Sequence, residues 1–164
     1  IWQLVSITGR RFNLVQNSEI DERKDIVKST DAALAYLIYL HKLFVKWELA
    51  IGAYNSGEGS MYRKILDSGR DRKNAKYEDL DLSEQTQAYL PKLLALVNIV
   101  EKPKRFGVKL EDIPNEPYFA IVSPPKNTHL CELVRLSGVD SKTFAKLNPQ
   151  YGNEDYELTA NNII

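Results

Sequence analysis

The chain has 164 residues, with 22 Lys and Arg balanced by 22 Asp and Glu, and 43% of its residues are hydrophobic. That length suits one domain of ordinary size plus a small appendage, and folding can bury roughly two thirds of the unfolded surface. The balanced charge offers no field to recruit nucleic acid or an anionic membrane. A single cysteine excludes an internal disulfide, and no apolar run approaches the roughly 20 residues of a membrane span.

The early charged run Asp21-Glu22-Arg23-Lys24-Asp25 reads as an ion-paired turn rather than a site. Residues 30–46 place Ala33, Leu37, Leu40 and Phe44 at helical spacing, with Tyr36, Leu43 and Trp47 widening the stripe and Ser29 or Thr30 as N-cap. Trp47 to Asn55 forms a second helix, apolar nearly all round, and such a helix is normally buried. Ala53-Tyr54-Asn55-Ser56-Gly57-Glu58-Gly59 ends it abruptly: a Tyr-Asn pair on the last turn, then two glycines flanking a carboxylate. Met61 to Leu66 is a third helix, stopped at Gly69, and the run from Arg70 to Lys76 reads as a solvated loop. Ser83 caps a long helix through Val100, with Leu90, Leu93, Leu94, Val97 and Val100 facing a core and Pro91 expected to kink it.

Residues 102–117 are rich in proline and charge and read as a linker. Tyr118 to Val122 reads as a short strand ended by Pro124-Pro125, followed by helices over His129 to Ser137 and Ser141 to Leu147 and an Asn148-Pro149 turn. Cys131 sits in an apolar helical pattern and is expected to be buried packing. His41 and His129 are far apart in sequence and lack the spacing of a metal site, so neither a metal nor a cofactor is expected.

Four segments occur in a telling order: Ile1-Trp2-Gln3-Leu4 with Thr8-Gly9-Arg10; Asp21 to Asp25 with Ser29-Thr30-Asp31-Ala32-Ala33; the Ala53 to Gly59 motif; and Glu84-Gln85-Thr86-Gln87-Ala88-Tyr89-Leu90-Pro91-Lys92. Together they resemble the catalytic domain of the lytic transglycosylases that cut bacterial peptidoglycan, most closely the membrane-bound type D branch, over roughly residues 1–119. The resemblance implies a mainly α fold. A lysozyme-like (goose-type, SLT) helical domain over 1–117 would be followed by a small α+β LysM-like module over 118–164, closed by a strand near Glu157 to Ile164; the other reading of 118–164 is a helical hairpin packed on the main domain. It implies peptidoglycan glycan strands as partner, a monomer, and a periplasmic location with any outer-membrane anchor upstream of Ile1.

In that family one glutamate protonates the glycosidic oxygen of the bond between N-acetylmuramic acid and N-acetylglucosamine. The sugar's acetamido group attacks the anomeric carbon, and the same glutamate then draws the C6 hydroxyl proton to close a 1,6-anhydro ring. The family's catalytic glutamate belongs to a Glu-Ser pair upstream of the Gly-x-Trp-Gln segment, inside which this chain begins. The expectation is therefore a stretch without its catalytic acid, inactive as it stands. By motif position, Gln3 would donate to the saccharide, Tyr54 would bond the acetamido carbonyl and Asn55 would shape the cleft floor. Glu84 would orient the reacting sugar or stabilise positive charge, and Tyr89 would form a wall. Glu58 would tie down the loop, and Trp2 would serve as packing or a sugar platform. Two other readings share these residues: a goose-type lysozyme-like hydrolase, separated by its reducing-end products, and a non-catalytic peptidoglycan-binding scaffold.

Overall fold

The computed structural model describes residues 2–124 and 128–152, and the regular elements in these segments are helices. The helices are α1 (Ser6–Arg11), α2 (Ile26–Phe44), α3 (Trp47–Ser56), α4 (Glu58–Asp67), α5 (Glu84–Glu101), α6 (Leu130–Ser137) and α7 (Ser141–Leu147), with 3-10 turns at Tyr77–Asp79 and Pro103–Phe106. Two isolated antiparallel bridges join Gln16 with Asp21 and Ile20 with Tyr151. The chain divides into two compact units, residues 36–115 and residues 1–35 with 116–164.

The unit of residues 36–115 is built around α3, which packs against α4, α5 and the Tyr77 turn. Leu49, Ala50, Gly52 and Ala53 give α3 its buried face. Gly52 allows close approach: a Cβ there would lie 2.5 Å from Tyr77 Cε2 and 2.6 Å from Met61 Cε. Gly57, at φ 87°, breaks α3 from α4 in a conformation that side chains resist. The short link between α2 and α3 meets the same demand with Val45 at φ 70°, an uncommon state for a β-branched residue. Ser83 caps α5 by accepting from Thr86 N at 3.3 Å, and the Tyr77 hydroxyl donates to Thr86 O beneath it.

In the other unit, Leu4, Leu14, Ile20, Ala32 and Ala33 are buried in the first part. In the second, Leu130 and Phe144 form a cluster, with Leu133, Val134 and Tyr151 against them. Backbone bonds from Asp21 N to Gln150 O (2.8 Å) and from Gly152 N to Glu19 O (2.9 Å) tie the two parts together. The expected ion-paired turn is present. Arg23 clamps Asp21 through Nε and Nη2, and buried Glu22 pairs with Lys28 and accepts from Val15 N at 2.7 Å.

Several expectations need correction. Helix α2 starts at Ile26 rather than near Thr30, because Asp25 caps it by accepting from Lys28 N at 2.8 Å. In α5, Thr86 and Leu90 are buried, but Leu93, Leu94, Val97 and Val100 are exposed, because contact with α3 falls on the first turns of the helix. Cys131 is exposed, since the buried stripe of α6 runs through Leu130, Leu133 and Val134. Tyr118 to Val122 forms no strand: a strand needs a partner ladder, none pairs with it among the described residues, and Tyr118 is 90% exposed. The described part of 118–164 contains the two expected helices, α6 and α7, with bridge residues at His129 and Tyr151 on either side of them. The closing strand expected near Glu157 to Ile164 lies outside the described residues.

Candidate functional site

The last turn of α3 presents Tyr54 and Asn55, both half-buried, just before the Gly57 break. Ser56 turns its hydroxyl back to Gly52 O at 3.0 Å, which closes the helix end. Tyr54 sits in an aromatic group. Its ring centroid is 5.6 Å from that of Tyr36, and Tyr36 stacks on Tyr39 at 6.3 Å with 15° between the planes. Burial pushes the Tyr54 phenol up to about 12, and the neighbouring Tyr89 and Tyr36 hydroxyls push in the same direction. Its proton is therefore held across the physiological range.

Tyr89 comes from α5, little more than one turn after Glu84, and is half-buried. Glu84 stands exposed on the first turn of α5, where a carboxylate complements the helix dipole. Glu58 opens α4 and is half-buried. Tyr54, Asn55, Glu84 and Tyr89 thus belong to one unit, and Tyr54 and Tyr89 are close enough for their phenols to interact. Gln3 belongs to the other unit. It is exposed and holds φ 52°, a left-handed backbone that a non-glycine residue adopts at a cost. Beside it, the Trp2 indole donates to Thr30 Oγ1 at 2.7 Å, so Trp2 anchors the start of the chain.

Tyr36 and Tyr39 complete the aromatic group around Tyr54, although the motif does not mark them. Tyr36 reads as core, and it is 7% exposed. Their spacing of three on α2 was the available signal, because it sets two rings on one helix face. Among the described residues no group of three or more His, Cys, Asp and Glu could hold a metal ion. His41 instead stacks on Trp47 at 4.2 Å.

Residues 1–77, which include Gln3 and the whole Tyr54 turn, match the family model of the transglycosylase SLT domain. The chain is 35% identical over 164 aligned positions to membrane-bound lytic murein transglycosylase D of Escherichia coli K12, and equally to that of Escherichia coli O6:H1, over 92% of this chain and 36% of each relative. It is 32% identical over 123 positions to a putative tributyltin chloride resistance protein of an Alteromonas species, covering 74% of this chain and 58% of that one. The chain is thus similar in sequence to an SLT domain over residues 1–77 and to part of transglycosylase D over most of its length. The chain spans about a third (36%) of the length of the transglycosylases it matches. Among the described residues no helix is long and apolar enough to cross a membrane.

Proposed function

We propose that this chain supplies the glycan-binding and positioning part of a peptidoglycan lytic transglycosylase, which cleaves the β-1,4 bond between N-acetylmuramic acid and N-acetylglucosamine and leaves a 1,6-anhydro end. The observation that carries this reading is the tyrosine group at the end of α3, where a protonated Tyr54, inside the SLT-matching residues 1–77, lies against Tyr36 and feels Tyr89 of α5. In this reading Tyr54 donates to the acetamido carbonyl as that group attacks the anomeric carbon. Tyr89 and Asn55 shape the cleft, Gln3 bonds the saccharide, and Glu84 orients the reacting sugar. An acid for this reaction needs an apolar enclosure. Glu84 is exposed and Glu58 takes a structural place at the start of α4, so neither is assigned the proton transfer.

Residues 1–117 would then form the transglycosylase domain and residues 118–164 a LysM-like wall-binding segment, in a protein facing the periplasm. The extent of the alignment is consistent with this, because 92% coverage of the chain reaches well past residue 117.

The test is to incubate the purified chain with peptidoglycan sacculi, sediment them, and analyse the soluble fraction by mass spectrometry. The chain is expected to sediment with the sacculi and to release no muropeptides. Release of 1,6-anhydro ends would place the acid within this stretch and overturn the role given to Glu84. Reducing ends would mark a hydrolase instead.

A further inference from the structure

A cleft lies within the unit of residues 1–35 and 116–164. It has a volume of about 490 Å3, and Gln3, Asp21, Arg23, Lys24 and Lys146 contribute to its lining. Its charge departs from the balance of the whole chain, with three cations against one carboxylate. That carboxylate is already occupied: Asp21 accepts from Arg23 Nε at 2.9 Å and from Nη2 at 2.8 Å, and Arg23 Nη1 is turned toward Leu4 O at 3.4 Å. Arg23 is therefore spent on the structure of the turn. Lys24 and Lys146 remain, both exposed and neither in an ion pair among the described residues. Gln3 stands on the rim with its left-handed backbone, and strained residues of this kind gather where a ligand is gripped.

We propose that this cleft is a carboxylate subsite, in which Lys24 and Lys146 hold a carboxylate carried by the glycan strand while the Gln3 amide meets the adjoining sugar. The inference rests on the peptidoglycan reading above and adds a ligand class to it. On such a strand a carboxylate comes either from the lactyl ether of the muramyl residue or from its peptide stem. An ammonium suits either source, because it is a flexible point charge without the fixed fork of an arginine.

The experiment compares the affinity of the chain for three probes: neutral N-acetylglucosamine oligomers, strands stripped of peptide by an amidase, and peptide-bearing strands. It is run on the wild type, Lys24→Gln, Lys146→Gln and the double variant. Among the described residues neither lysine side chain makes an ion pair, so the variants are expected to keep the fold. Exposed charge pairs are weak, so the double variant should bind carboxylate-bearing strands about 3- to 10-fold less tightly, with the difference shrinking in high salt. Binding of the neutral oligomers should be unchanged. A loss that includes the stripped strands identifies the lactyl carboxylate, and a loss confined to peptide-bearing strands identifies the stem; both support the subsite. An equal loss on all three probes, or no loss on any, overturns it. A wild type that binds none of the probes overturns the peptidoglycan reading itself and the subsite with it. Strand binding indifferent to both lysines overturns the subsite alone.

Discussion

A phenol set among other phenols loses its proton late, and Tyr54 is placed to show this. Its titration is moved from the ordinary 10 to about 12, chiefly by burial. The unfolded chain therefore deprotonates first, so the stabilising contribution of Tyr54 is complete below pH 10 and is lost as pH rises through 12. Following phenolate absorbance to high pH, Tyr54→Phe should remove a tyrosine from the late end of the titration and leave the early part of the curve in place. The same substitution should weaken binding of N-acetylglucosamine oligomers by about 2- to 10-fold, the worth of one hydrogen bond. Gly52 makes a second demand at this scale. Its missing Cβ lets Tyr77 and Met61 close over α3, and overpacking of this kind costs about 1–3 kcal/mol. Gly52→Ala should lose that much stability in urea unfolding.

Between elements, the strained joint is Val45. Its left-handed backbone links α2 to α3 while its side chain is 47% exposed, so little packing offsets the strain. Relief of about 1–2 kcal/mol by glycine, less the roughly 0.5–1 kcal/mol that glycine loses in backbone entropy, leaves Val45→Gly more stable by about 0.5–1 kcal/mol. A rise in the urea midpoint would show it, and an unchanged or lower midpoint would contradict it. Helices of this kind were legible in the sequence because their signals are local. The Ser83 cap, the Gly57 break and the apolar stripe through Leu40 and Phe44 each act within a few residues. What the sequence did not disclose depended on distant partners. The strand expected at Tyr118 to Val122 has the right residue types, but strand formation is decided by a ladder elsewhere in the chain. The apolar residues after Leu90 in α5 have helical spacing, yet spacing says nothing of what covers them. At the site, the Tyr54 motif announced itself, whereas Tyr36 and Tyr39 emerged only once α2 and α3 were folded side by side.

Across the whole molecule, stability should be concentrated where burial is. The largest fully buried side chains, Phe44, Leu40, Leu49, Met61, Ile65 and Leu80, all lie between residues 40 and 80. The second half of α5 is the opposite case: Leu94, Leu96 and Val100 are 51%, 60% and 61% exposed, and its hydrogen bonds are open to water along most of its surface. Local opening follows burial of this kind, so amide exchange should rank the helices in the same way. The slowest amides are expected in α3, from Ala50 to Ala53, and in α2 near Leu40 and Phe44, with faster exchange in α5 beyond Lys92. Leu49→Ala should destabilise by about 2–5 kcal/mol, because it opens a cavity in the best-packed layer, and it should speed exchange of the slowest α3 amides. If the amides of α5 beyond Lys92 were as protected as those of α3, that apolar face would have to be covered, and its exposure could not set the local stability.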